Sequence, residues 1–148
     1  MNNSTLSSRD IWTHGSSFPL TDVLKTCLSS LLFENLLSKE LYLASPWITD
    51  FELFDNRYED YSDLFPEFSD NSKIMLSDYL IKLSKRNKIR IITLNNARSL
   101  SFVKKQNIQH STNIETRRAP DDFHEKGILS EFFYIEGSMN ITDAGVRG

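Results

Sequence analysis

Cysteine is all but missing from this chain. Cys27 stands alone among 148 residues, so no internal disulfide can brace the fold. It lies among Val23, Leu24, Leu28 and Leu31, and the expectation is a buried small hydrophobe rather than a nucleophile. No Pro- or Gly-rich linker splits the chain, and no repeat or low-complexity segment appears. No apolar run approaches the length of a membrane span, and there is no amphipathic helix with a basic rim to dock on a bilayer. The opening MNNSTLSSRDIWTHGSS has neither the basic start nor the apolar middle of a secretory signal. Histidine is scarce too: His14 and His110 have no partner at metal-ligand spacing and Cys27 is remote, so neither a zinc site nor any other metal or cofactor is expected. These absences point to one cytoplasmic domain. The length suits a single core, and 39% hydrophobic with 25% charged residues is ordinary for a globular protein.

Charge is unevenly spread. Between Lys82 and Arg118 there are ten Lys or Arg and a single acid, Glu115; with a net charge of −3 overall, the remainder carries −12. From Asp50 to Asp70 there are eight acids, and Arg57 is the one base. The split suggests a phosphate-binding face set against an acidic one, although runs of this kind are commonly just the solvated faces of helices and loops.

Residues 1–17 are polar and Ser-rich and read as a loose arm, with a short strand at Ile11–Trp12; residues 18–148 read as one domain. Thr21–Asp22 offers a helix N-cap, followed by Val23, Leu24, Cys27, Leu28, Leu31, Leu32 and Leu36 at helical spacing. The run 41–45 is a buried strand ending at Pro46. The stretch 50–71, rich in acids and aromatics but without a period, reads as a long ordered loop of the kind that is usually functional. A helix is predicted over 72–87, a β-branched strand over 88–94, a helix over 98–106 and a short strand over 113–117. Two further strands, around 123–129 and 133–138, are joined by a tight turn. Strands alternating with helices predict an α/β sandwich around a mixed sheet.

Chemistry concentrates in FHEKGIL…EGSMN. On a strand, His124 and Lys126 share one face, and Ser138 and Asn140 are likewise two apart on the neighbouring strand. A hairpin would gather an imidazole, an ammonium, a hydroxyl and an amide. A phosphodiester hydrolase working without metal requires these groups: a largely neutral imidazole to attack phosphorus, and Lys126 with amide N–H donors to hold the non-bridging oxygens. Gly137 would let the backbone approach the phosphate closely. Ser45, at a strand end, is a further candidate, as are Arg117 and Arg118 in the basic stretch that offers contacts to a phosphate backbone. Trp12 and Trp47 are expected to serve packing more than base stacking. A lone strand histidine is more often structural than catalytic; the Gly-Ser-x-Asn that follows shifts the balance toward catalysis.

HEKGILSE followed by GSMN resembles the phospholipase D superfamily signature of His-x-Lys, four intervening residues, an Asp, and then Gly-Ser-x-Asn. His124, Lys126, Gly137, Ser138 and Asn140 match; Glu131 takes the place of the Asp, and five residues separate it from Gly137 where the family usually has six. LYLASPWITD resembles the first core strand of these domains and IRIITL the second; with DNR at Asp55–Arg57, the similarity is greatest to the single-motif DpdK group of bacterial DNA 7-deazaguanine modification and restriction clusters. The resemblance implies an α/β phospholipase D-like sandwich: a mixed, mostly parallel β-sheet flanked by helices, here without its last strand, since the family continues past GSxN with a strand carrying an Asn and a Glu. It also implies a phosphohistidine mechanism that uses two histidines. One His-x-Lys motif supplies one of them, so a homodimer completing the site is expected. The expected function is a metal-independent nuclease acting on DNA in bacterial defence, alongside other proteins of a restriction complex. The alternatives are a non-catalytic DNA-binding or assembly subunit and a phospholipid phosphodiesterase.

Overall fold

Alternation of side chains along two strands builds the centre of the molecule. In the computed structural model, which describes residues 20–33 and 39–147, β1 (Glu40–Ala44) turns Leu41 and Leu43 inward and β4 (Lys88–Thr93) turns Ile89, Ile91 and Thr93 the same way. The two pair in parallel, Leu41 against Ile89 and Leu43 against Ile91. β5 (Ile114–Arg118) adds in parallel beyond β4, while β6 (Gly127–Leu129) pairs antiparallel with β1 and β7 (Tyr134–Glu136) antiparallel with β6. The resulting five-stranded mixed sheet has the order β5-β4-β1-β6-β7. Its pairings divide evenly between parallel and antiparallel, yet only β6 runs against the other strands.

Helices cover the inward face. α1 (Leu20–Phe33) contributes Leu20, Leu24 and Leu28, one per turn, to the same cluster as Leu41 and Leu43. α2 (Leu76–Ser84) contributes Leu76, Tyr79, Leu80 and Leu83, and the buried Tyr79 hydroxyl donates to the Leu28 carbonyl at 2.7 Å, joining α2 to α1. α3 (Ala97–Val103), capped by Asn96 accepting from Ser99 N at 2.9 Å, and α4 (Gln106–Gln109) bury Phe102 and Ile108; α5 (Asp143–Arg147) buries Val146. None of these helices is long and apolar enough to cross a membrane.

Several expectations are corrected. The 50–71 segment is not simply a loop: β2 (Glu52–Asp55) pairs antiparallel with β3 (Lys73–Met75), and a short 3-10 turn (Pro66–Phe68) lies between them. A register shift between Glu52 and Phe54 lets consecutive residues Leu53 and Phe54 both face inward, which erases the period of two that marks a strand. The side chain of Asn56, also buried, donates to Asn71 O and accepts from Tyr61 N, each at 2.9 Å, and so orders the connection. The helix expected from residue 72 starts at Leu76, because 73–75 are taken by the hairpin. The helix expected over 98–106 is two short helices. α1 begins by Leu20, so Thr21 and Asp22 lie in its first turn rather than capping it, and Cys27 beside Leu28 is half-buried rather than buried. Partial burial alone raises its thiol pKa. The expectations for the 1–17 arm, the Ile11–Trp12 strand, His14 and Leu36 fall outside the described residues.

The acidic and basic stretches touch at two points: Glu67 accepts from Lys82 at 3.0 Å and lies 3.9 Å from Lys85, and Asp50 pairs with Lys105 at 3.1 Å. On the second face of the sheet Arg90 bridges Glu40 at 3.1 Å and Glu115 at 3.0 Å. Hydrogen bonds from Tyr42 and Arg90 hold the Glu40 carboxyl below the usual carboxylate range.

Candidate functional site

The two halves of the motif meet at the carboxyl end of β1. Gly127 pairs with Ala44 and with Glu136, so the residues before β6 and those after β7 emerge together beside Ser45. One more hydrogen bond, from Gly137 N–H to the Lys126 carbonyl at 3.4 Å, joins the two arms directly. Carboxyl ends of parallel strands are where open α/β sheets place their ligands.

His124 and Lys126 do not lie on a strand. β6 starts only at Gly127, so the expectation that strand alternation aligns them is not met. His124 is exposed and its backbone N–H donates to Glu125 Oε2 at 3.3 Å; Lys126 is half-buried and its Nζ donates to the His124 carbonyl at 3.0 Å. Among the described residues, no hydrogen bond links either side chain to Ser138 or Asn140. The hairpin register explains this. Continued strictly, it would set Gly137 opposite Lys126 and Met139 opposite His124, placing Ser138 and Asn140 on the other side of the ladder. The ladder stops instead, and a different contact places Asn140.

That contact is Ser45. It is 1% exposed, and its hydroxyl donates to Trp47 O at 2.6 Å, accepts from Ile141 N at 3.0 Å and lies 3.4 Å from Asn140 Oδ1. Thr49 N donates to Ile141 O at 3.0 Å, and Ile48 and Ile141 form an isolated parallel bridge. Ser45 therefore holds the GSMNI segment against the first strand's exit and does not itself present a group to a ligand, which corrects its reading as a substrate contact. Ser45→Ala would leave the buried Ile141 N–H without an acceptor. A loss of about 1–3 kcal/mol is expected in urea unfolding; a loss below about 0.5 kcal/mol would show that the lock is unimportant.

Gly137 is exposed, and a Cβ built there meets nothing within 4 Å. Packing within the chain does not require glycine at this position. Gly145 in α5 is the opposite case. A Cβ there would fall far inside contact distance of the Asn140 carbonyl oxygen and 3.1 Å from Asn140 N and C. This residue, missed in the sequence reading, sets how closely α5 approaches the Asn140 backbone; the available signal was a glycine placed inside a helix against its propensity.

The remaining candidates separate. Glu131 sits in the β6–β7 turn, where it pairs with Lys39 at 2.7 Å. From Gly127 that is four residues of chain, on the order of 13 Å, toward the opposite end of β1. Glu131 is thus not brought to the site. Arg117 lies on the second face of the sheet against Glu115, at 2.5 Å. Arg118, opposite Thr93 at the carboxyl end of β5, is nearer the site but engages Asp121 at 3.0 Å. Among the described residues no three His, Cys, Asp or Glu side chains gather as a metal site. No known protein-family model matches the chain, and no curated protein matches it either.

Proposed function

We propose that the chain is a metal-independent phosphodiesterase of the phospholipase D type, cleaving DNA within a bacterial modification and restriction system. The observation that carries the proposal is the meeting of the two motif arms at the carboxyl end of β1, with Gly137 N–H on the Lys126 carbonyl. The proposal extends to the fold, a phospholipase D-like sandwich built on this sheet. In the reaction, His124 of one copy attacks phosphorus and expels the alkoxide of the scissile ester, leaving a phosphohistidine. His124 of the second copy protonates that alkoxide, then takes a proton from water as its oxygen attacks phosphorus and frees the imidazole. Lys126 and donors around Ser138 and Asn140 hold the non-bridging oxygens as charge builds on them. The exposure of His124, whose side chain has no hydrogen-bond partner among the described residues, suits a site closed by a partner copy.

The deciding experiment is cleavage of an end-labelled DNA strand in excess EDTA. Undiminished cleavage is expected; activity that disappears on chelation and returns with a divalent ion would end this reading. A second reading, a DNA-binding subunit without catalysis, is favoured by the separation of Glu131 from the site. DNA binding with no cleavage under any condition would select it.

A further inference from the structure

Trp47 is 43% exposed although backbone groups on either side of it are tied down. Its own carbonyl accepts from Ser45 Oγ at 2.6 Å. The Pro46 carbonyl accepts from Asn96 Nδ2 at 3.0 Å, Thr93 Oγ1 at 3.2 Å and Leu94 N at 3.3 Å, and Ile48 N donates to Ser99 Oγ at 3.1 Å. A large aromatic side chain on a loop held this firmly is not exposed because the loop is loose. The Arg98 guanidinium lies over the indole, 5.3 Å from its centroid. Among the described residues Arg98 has no carboxylate partner, whereas six of the ten cations between Lys82 and Arg118 form ion pairs.

Position gives the pair a purpose. Trp47 is two residues beyond Ser45, whose hydroxyl lies beside Asn140, so its loop leaves the same carboxyl end of β1 at which the candidate phosphodiester site lies. An exposed aromatic face accepts an unpaired base of any sequence, and a guanidinium adds cation–π attraction and a contact to the adjoining phosphate. The bases of a duplex are already stacked on each other and cannot use such a surface. We propose that Trp47 and Arg98 form a stacking platform for a base of single-stranded DNA next to the scissile phosphate. This deepens the nuclease reading by naming its substrate as single-stranded, but the platform itself is a binding property.

The test is fluorescence anisotropy with a labelled oligothymidylate, its abasic counterpart with the same phosphates, and a duplex. Wild-type protein is expected to prefer the oligothymidylate over both. Trp47→Ala should weaken oligothymidylate binding roughly 5- to 150-fold and leave the abasic strand unchanged. Trp47→Phe should retain most of the affinity, and Arg98→Ala, which removes no core packing, should lose part of it. The proposal is overturned if Trp47→Ala binds oligothymidylate like wild type, if it loses equally on the abasic strand, or if the duplex is preferred. Cleavage with normal Trp47→Ala binding would remove the platform and keep the nuclease. Base-dependent binding without cleavage would keep the platform and remove the nuclease.

Discussion

His124→Ala is expected to lower DNA cleavage by about 10³-fold or more while leaving stability within about 0.5 kcal/mol of wild type. The two halves of this expectation rest on different observations. His124 is exposed, lies outside any strand, and its side chain makes no hydrogen bond among the described residues, so its removal costs the fold nothing of note. In the proposed mechanism the same imidazole is both nucleophile in one copy and acid–base catalyst in the other, and alanine removes both at once. Single-turnover cleavage and thermal unfolding on the same preparation separate the effects. Cleavage persisting in His124→Ala would show that the chemistry lies elsewhere. A large fall in melting temperature would show that the residue is structural after all.

Gly145→Ala should destabilise the protein, against the usual sign for such a change. In an ordinary exposed helix alanine is favoured over glycine by about 1 kcal/mol. Here the added methyl would overlap the Asn140 carbonyl oxygen, a backbone atom that cannot rotate away like the tip of a side chain. Overpacking of this kind costs about 1–3 kcal/mol, so the clash outweighs the propensity. α5 must move from Asn140, or Asn140 from Ser45; either weakens the Ile141 N–H to Ser45 Oγ bond. Lower stability, faster hydrogen exchange at the Ile141 amide and reduced cleavage are expected together. Gly137→Ala is the control, with stability unchanged because nothing adjoins its Cβ. A Gly145→Ala protein as stable as wild type would mean that the close approach has no consequence.

What could be read in advance follows from how local each signal is. β1 was legible as a short apolar run ending at Pro46, β4 as a β-branched run, and α1 because Val23, Leu24, Cys27, Leu28 and Leu31 recur at helical spacing. The β2–β3 pair was not, since its bulge breaks the alternation and its partner strand is distant in sequence. For the candidate site, the structure gathers Lys126, Gly137 and Asn140 at the carboxyl end of β1, ties the Ser45 hydroxyl to neighbouring backbone, and places Glu131 toward the other end of that strand. Whether a polar group faces a ligand or a neighbouring loop depends on contacts such as Lys39 with Glu131, which spacing along one chain does not contain.

By itself, then, the sequence determined the alternation of strands and helices, the absence of any disulfide framework, and the choice of chemical groups near residues 124–140. These are set by side-chain period and composition, which act over a few residues. Only the tertiary structure decided that the acidic and basic stretches meet at Glu67 and Asp50, and that the Ser45 hydroxyl is tied to Ile141 and Trp47. It alone brought Trp47 under Arg98 at the edge of the site, because a pairing between distant segments exists only after the sheet has folded them together.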